Sequence, residues 1–138
     1  MSGENSMKDS LKNFIEYLGS DEELMYYVRI NVEWNEESFI RMKHLVREVI
    51  RDYENEDFYP KIFVQYFMRE IPSVINMLSH FKGCSEKELS AGYTKETYLS
   101  MIAERIKQLK NLHWEFVKSL TDPETKDISE KIREKLYK

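Results

Sequence analysis

Apolar residues recur at helical spacing along nearly the whole chain. In the segment 8–18, for example, they fall at intervals of three and four residues, which places them on one face of a helix. No segment has a convincing strand pattern. The predicted helices span about 8–18, 20–28, 36–54, 60–82, 86–91, 95–120 and, as an amphipathic terminal helix, 122–138. We therefore predict an all-α fold: a single-domain antiparallel helical bundle of six or seven helices over residues 1–138, with no sheet.

Residues that favour helix ends mark several of these boundaries. Gly19 occupies the position of a left-handed C-cap after the first helix. Ser20 and Glu23 have the spacing of a capping box that opens the second helix. Asn35 precedes two glutamates and suits the start of the third helix, after a break predicted at 30–35.

The fourth predicted helix is the most apolar. Pro60 suits its first turn, and the segment 62–68 is apolar nearly all round, which predicts the most buried helix of the bundle. Pro72 lies inside the same pattern. Because proline removes one hydrogen bond of the helical ladder, we expect the helix to kink or to restart at Pro72.

Capping signals recur in the second half of the chain. Ser85 and Glu88 form a capping-box pair before the short helix, Gly92 ends it, and Thr94 caps the longest helix. The apolar stripe of that longest helix comprises Tyr98, Ile102, Ile106, Leu109, Phe116 and Leu120, with Leu112 or His113 in the middle step.

The composition fits one globular domain. Of 138 residues, 41% are hydrophobic and 33% are charged. No apolar run approaches the roughly 18 residues that suggest a membrane span, and residues 1–6, a predicted frayed start, lack the features of a signal peptide. The single Cys84 favours a reducing compartment. We predict a cytoplasmic protein without a membrane partner.

Charge is distributed unevenly along the chain. The first 59 residues hold 14 acidic and 7 basic side chains, a net charge of −7, whereas the remaining 79 hold 11 and 14, a net charge of +3. Within the acidic half, the segment 52–59 places four carboxylates among three aromatic rings. Carboxylates attract a basic protein surface and repel nucleic acid, and exposed rings supply contact area.

The basic residues of the second half do not suggest nucleic-acid binding. They alternate with glutamates, which is the pattern of a solvated helix face. The isoelectric point of about 5.5 also argues against a nucleic-acid partner. We predict no direct contact with nucleic acid.

Candidate groups for catalysis or metal binding form no recognisable motif. The three histidines fall on separate predicted helices, and only His44 has a local partner with ligand spacing, Glu48. Cys84 has no base near it in sequence except His80. Glu70, in the apolar helix, is explained more simply as pointing outward or pairing with an arginine than as a catalytic acid or base. We predict no metal, no cofactor and no enzymatic activity.

The acidic and aromatic segment gives the leading hypothesis for function. Carboxylates at helix N-termini are explained by the helix dipole, but those at 52–57 end a helix, where the dipole disfavours anions. We predict a non-enzymatic protein-binding module, most concretely an immunity or inhibitor protein that masks a basic cleft of a toxin such as a nuclease. This requires the carboxylates of the first half to face outward together. The predicted partner-binding residues are Glu33, Trp34, Asp52, Tyr53, Glu54, Glu56, Asp57, Phe58 and Tyr59.

Two alternatives stay open at this point. The first is a small-molecule-binding bundle, or an enzyme built on one, with an apolar pocket near Glu70 and Pro72. Glu70, Tyr66 or His113 would be its polar group, and a deep cavity on which Glu70 and a histidine converge would favour it. The second is self-association through the terminal stripe of Ile128, Ile132 and Leu136.

Overall fold

The computed structural model describes residues 7–120 and 126–136, and every regular element in those ranges is helical. In chain order the elements are α1 (Asp9–Leu18), α2 (Leu24–Arg29), α3 (Glu36–Tyr53), α4 (Lys61–Gln65), a π-helical segment (Tyr66–Glu70), α5 (Ile71–Ser79), α6 (Glu86–Ser90), α7 (Lys95–Ser119) and α8 (Lys126–Leu136). Because α4, the π-helical segment and α5 are contiguous, the described residues form seven helices. The predicted all-α bundle is confirmed.

Contacts at the two ends of α3 set the directions of its neighbours. The Tyr17 hydroxyl, near the end of α1, bonds Ser38 at the start of α3, whereas Lys8, before α1, contacts Tyr53 at the end of α3. Helices α1 and α3 are therefore antiparallel. Ion pairs join Glu36 to Arg105 and Arg47 to Glu115, so α3 and α7 run in the same direction. Helix α5 packs on α2 and α7.

Aromatic rings from four elements meet at the centre of the core. Phe67 of the π-helical segment stacks on Phe116 of α7 at 4.4 Å between ring centroids. Phe14 of α1 meets Phe63 and Tyr66 edge-on, at 5.3 and 5.0 Å. Such pairs contribute about 0.5–1.5 kcal/mol each beyond the area that they bury. Bulky rings thus fill the centre of a chain that contains few alanines.

The helix from 61 to 79 restarts beside Pro72, which is one of the two predicted outcomes. The turns before the proline widen into the π-helical segment, and regular α geometry resumes at Ile71, so Pro72 lies in the first turn of α5. The physical reason is that Pro72 has no N–H and its ring crowds the carbonyl four residues earlier, which a wider turn relieves. Contrary to the prediction, the helix is not buried all round, since the apolar Met68 side chain is 62% exposed.

Two predictions at the start of α2 are wrong. Gly19 is not a left-handed cap, since its φ is −84° and its ψ is 0°. Ser20 and Glu23 do not form a capping box: Glu23 is itself the N-cap, and its carboxylate accepts from the Met25 amide at 2.8 Å. The Ser20 hydroxyl instead donates to the carbonyl of Tyr17 at 2.8 Å. The turn after α1 therefore uses Ser20, and α2 begins at Leu24 instead of at about residue 20.

The other capping predictions are confirmed. Asn35 accepts from the Ser38 amide at 2.8 Å and opens α3. The capping boxes at the starts of α6 and α7 are present, the first with Ser85 and Glu88 and the second with Thr94. Gly92 has a φ of +103°, a left-handed conformation that glycine adopts without steric cost, and it separates these two helices.

One prediction about α7 is wrong, and the predicted stripe of α8 lies partly outside the described residues. In α7, Leu112 is buried and fills the middle step of the stripe, whereas Leu120, just beyond the helix end, is 55% exposed. In α8, Ile132 and Leu136 are exposed. The side chain of Ile128, and the predicted frayed start at 1–6, lie outside the described residues. Across the described ranges, no helix has the length and apolar content needed to cross a bilayer.

Candidate functional site

The structure divides the predicted partner-binding residues between the two ends of α3. Glu33 and Trp34 lie just before its first residue, and the others lie at its end or in the loop that follows. A helix of 18 residues is about 27 Å long at 1.5 Å per residue. The two groups therefore do not form one continuous surface.

Two carboxylates just before and at the start of α3 are neutralised by cations from later helices, whereas a third, Glu37, has no cation within ion-pair distance among the described residues. Glu36 binds the Arg105 guanidinium through two hydrogen bonds of 2.8 Å, and Glu33 lies 3.8 Å from the Lys87 ammonium. Burial raises the pKa of Glu36, but the bonds from Arg105 and Trp34 outweigh it, so the net shift is downward. The requirement that the acidic residues of the first half face outward together fails at this end.

Trp34 is a core residue and offers no exposed ring. Its side chain is buried, with its ring 4.9 Å from that of Phe39, and its indole N–H donates to Glu36 at 2.8 Å. Trp34 and the ion-paired Glu33 therefore leave the set of candidate contacts. The sequence gives no sign of the Glu33 ion pair or of the bond from the Trp34 amide to the Tyr98 hydroxyl, because Lys87 and Tyr98 lie more than 50 positions away on α6 and α7.

The other end of α3 carries an exposed segment of residues 54–58, here called the acidic loop. All five of its residues are exposed, and Phe58 is 82% exposed. Among the described residues, no cation lies within ion-pair distance of Glu54 or Asp57. Glu56 lies 3.5 Å from the ammonium of Lys8, which also donates to the backbone carbonyl of Asp52 at 2.9 Å.

Two tyrosines hold the ends of the acidic loop against the core. Tyr59 stacks on Phe63 at 5.6 Å, and its hydroxyl bonds the Ser119 hydroxyl at 2.7 Å. Tyr53 lies 6.4 Å from Tyr59, and its ring faces the Lys8 ammonium at 5.1 Å. Burial raises the pKa of Tyr59. These two rings therefore position the loop, and Phe58 is the aromatic residue of the segment that is open to solvent.

A second candidate site is a surface pocket of about 280 Å³, here called the Tyr66 pocket, between α1, α2, α4 and the π-helical segment. Its polar wall is formed by Glu23, Arg29, Gln65, Tyr66, Arg69 and Glu70. Arg29 donates to the Glu70 carboxylate at 2.5 Å and to the Ser73 hydroxyl at 3.3 Å.

The Tyr66 pocket partly matches the predicted pocket near Glu70 and Pro72. Glu70 and Tyr66 both line it, as the hypothesis expects. No histidine lines it, since the His113 ring lies beside Phe67 at 6.1 Å. Glu70 pairs with an arginine, which is one of the two arrangements predicted for it, and Arg29 of α2 supplies that arginine. Glu23 is a contribution that sequence reasoning missed. The only sequence signal for this site was Pro72. A proline inside a helical pattern distorts the helix, and π-helical turns frequently occur at functional sites.

The residues weighed for metal binding lie apart. His44 bonds Glu48 at 2.8 Å on the surface of α3, and His80 bonds the Asn76 carbonyl at 2.8 Å. Within the ranges that the structure describes, no three histidine, cysteine or carboxylate side chains are grouped as metal ligands. Cys84 is half-buried and packs against the core.

Comparison with known proteins gave no relative. The chain has no significant match among protein-family models, among curated proteins or among solved structures.

Proposed function

We propose that this protein is a non-enzymatic protein-binding module whose acidic loop docks on a basic surface of a protein partner. The observation that carries the proposal is the exposed Phe58 ring, which stands in a loop whose Glu54 and Asp57 carboxylates have no cationic neighbour among the described residues. The most concrete form of the proposal is an immunity or inhibitor protein that covers the basic cleft of a toxin such as a nuclease.

The two kinds of side chain would make different contributions to binding. The carboxylates would steer a basic partner toward the loop and raise the association rate. The Phe58 ring would then enter a pocket on the partner. In typical interfaces a few buried residues, often aromatic, contribute most of the binding energy. Both contributions need the loop to keep its shape.

Anchoring of the loop supports this reasoning. Tyr53 and Tyr59 are packed at its two ends, and the Glu56 amide bonds the Tyr53 carbonyl at 2.9 Å to close a turn. A loop that is already ordered loses little conformational entropy when a partner binds. The contact surface is therefore prepared in the free protein.

The position of the carboxylates also needs an explanation beyond the stability of the fold. Asp52, Glu54, Glu56 and Asp57 lie at the C-terminal end of α3, where the helix dipole disfavours negative charge by some tenths of a kcal/mol each. Only Glu56 has a described cation as a partner. Locally unfavourable choices of this kind concentrate at functional sites.

The direct test is capture of the partner from a lysate of the source cells, followed by elution with increasing salt. We expect the bound protein to be basic, and its binding to weaken markedly between about 50 and 500 mM salt, because salt screens exposed charges. The double variant Glu54→Lys and Asp57→Lys should slow association. Phe58→Ala should mainly speed dissociation and weaken binding about tenfold or more.

The matched control is Glu16→Lys with Glu104→Lys, which changes the net charge equally at exposed positions on α1 and α7. This control should bind almost as well as the natural sequence. If the control and the loop variant weaken binding equally, or if salt has no effect, docking through the acidic loop is wrong.

A further inference from the structure

Tyr66 carries a buried hydroxyl without a hydrogen-bond partner. The residue is 2% exposed, and its hydroxyl oxygen has no donor or acceptor within bonding distance among the described residues. An unsatisfied buried hydroxyl is costly, so it occurs rarely and calls for an explanation. Tyr66 is one of the residues that line the Tyr66 pocket, and its hydroxyl oxygen is itself buried.

Two acidic and two basic side chains line the pocket, and only one acid and one base form an ion pair with each other. Arg29 and Glu70 bind each other. Glu23 uses its carboxylate to cap α2, and its half-buried position raises its pKa, which is a sign that a further cation would be favourable there. Arg69 is exposed and has no carboxylate within ion-pair distance among the described residues. Glu23 and Arg69 are therefore the anion and the cation that can each bind a further group of opposite charge.

The remaining wall of the pocket is apolar, being formed by Leu18, Met25 and Ile62. The volume of about 280 Å³ lies at the small end of ligand pockets, which span roughly 300–1,000 Å³, so the pocket suits a small molecule. An aliphatic portion of that molecule would lie on the apolar wall.

We propose that the Tyr66 pocket binds a small zwitterion of amino-acid size, with an ammonium group at Glu23, a carboxylate at Arg69 and the Tyr66 hydroxyl as an additional hydrogen-bond partner. This site lies apart from the acidic loop, and the proposal goes beyond protein binding without depending on it. The class of ligand follows from the opposite charges of the two unpaired groups, since a simple anion or a simple cation would leave one of them unused.

The test uses three probes that differ by one charged group. L-Leucine carries both groups, 3-methylbutylamine lacks the carboxylate, and 4-methylpentanoate lacks the ammonium. Each is titrated into the full-length protein, with amide NMR shifts and calorimetry as readouts. We expect saturable binding of leucine, with shifts concentrated at the residues that line the pocket on α1, α2, α4 and the π-helical segment, and at least tenfold weaker binding of both analogues.

Variants assign the binding to the proposed groups. Tyr66→Phe removes only the hydroxyl and should weaken leucine about tenfold. Arg69→Gln should remove the preference for leucine over 3-methylbutylamine. The matched control is Tyr93→Phe, a tyrosine in the connection before α7 that does not line the pocket, and it should bind leucine like the natural sequence.

Three outcomes would overturn the proposal. The first is the absence of saturable leucine binding, and the second is an analogue that binds as tightly as leucine. The third is a Tyr66→Phe variant with unchanged affinity. Loss of the partner in the Phe58→Ala variant, with leucine binding intact, would show that the two sites act separately.

Discussion

Tyr17 and Tyr66 are both buried, but only the Tyr17 hydroxyl is fully bonded. The Tyr17 hydroxyl accepts from the Leu24 amide at 2.8 Å and bonds the Ser38 hydroxyl at 2.8 Å. It thereby joins α1 to the starts of α2 and α3. Burial raises the pKa of Tyr17 to about 12, so this phenol is a neutral donor over the physiological range. The Tyr66 hydroxyl makes no comparable contact among the described residues.

This difference predicts opposite effects of the same chemical change on stability. Tyr17→Phe should lower the free energy of unfolding by about 1–3 kcal/mol, because it leaves the buried Leu24 amide without a partner. Tyr66→Phe should leave the free energy of unfolding unchanged or raise it by about 1 kcal/mol, because the substitution removes a buried hydroxyl that has no hydrogen-bond partner. Urea unfolding monitored by circular dichroism measures both. Equal losses in the two variants would mean that the Tyr66 hydroxyl has a partner in the free protein.

At the scale of the elements, two pairs of side chains connect α3 to α7. Arg105 binds Glu36 at the start of α3, and Arg47 binds Glu115 farther along both helices, with two hydrogen bonds in each pair. Exposed pairs of this kind contribute about 0–1 kcal/mol each. Their main consequence here is chemical: the pair at Glu36 removes a negative charge from the surface that was expected to be acidic.

The Glu36 pair predicts a dependence of stability on pH. The pKa of Glu36 in the folded protein lies below its ordinary value of 4.5, so the carboxylate stabilises the fold above that pH. This stabilisation is lost as the pH falls through the folded pKa. Glu36→Gln should therefore lower the free energy of unfolding by up to about 1 kcal/mol at pH 7, and the difference from the natural sequence should shrink below pH 4.5.

Glu37→Gln is the matched control for this measurement, because Glu37 is in the same first turn and has no described cation as a partner. It removes the same helix-dipole contribution without breaking an ion pair. Urea unfolding across a pH series distinguishes the two variants. A Glu37→Gln variant with the same pH-dependent loss would assign the effect to the dipole instead of to Arg105.

The π-helical segment shows how one proline affects packing on both sides of it. Phe63 and Leu78 are both buried and lie 15 residues apart. A regular α-helix advances about 100° per residue, so these residues would be displaced by about 60° beyond four full turns. A wider π-helical turn absorbs part of that displacement and keeps both on the core face. The same turn places Tyr66 and Glu70 at the pocket.

At the scale of the whole molecule, the charge asymmetry of the sequence does not become one acidic face. Cations of α6 and α7 neutralise the group before α3, and the acidic loop lies a full helix length away. The proposed docking surface is consequently smaller than the sequence suggested. It consists of one loop with one exposed ring, and Tyr53 and Tyr59 support it from beneath.

Self-association of the protein through the apolar stripe of the terminal helix stays a prediction. Ile132 and Leu136 are exposed, and the Arg133 guanidinium lies over the Trp114 ring at 4.6 Å. If this stripe joins two copies, the natural sequence should sediment as a dimer at high concentration, and the double variant Ile132→Asp with Leu136→Asp as a monomer. Lys131→Ala with Lys135→Ala is the control on the same helix. A natural sequence that stays monomeric throughout would contradict the hypothesis.

The sequence by itself determined the class of fold and most helix boundaries, because both depend on local properties. Helical spacing of apolar residues and caps such as Asn35, Ser85 and Thr94 act within a few residues of chain. The assignment of Gly19 and Ser20 failed because the turn after α1 could be closed in more than one local way. Exposure of the acidic loop was also predictable, since no apolar residue in 54–57 draws it into the core.

Only the tertiary structure decided which charges remain available and where the pocket forms. Glu36 meets Arg105, and Arg29 meets Glu70, across 69 and 41 positions of sequence. Burial of Trp34 and the spare hydroxyl of Tyr66 likewise depend on side chains brought together by packing. Local patterns place a residue on a helix and on one of its faces. They do not specify which face of another helix lies opposite, and that arrangement sets the electrostatics of both candidate sites.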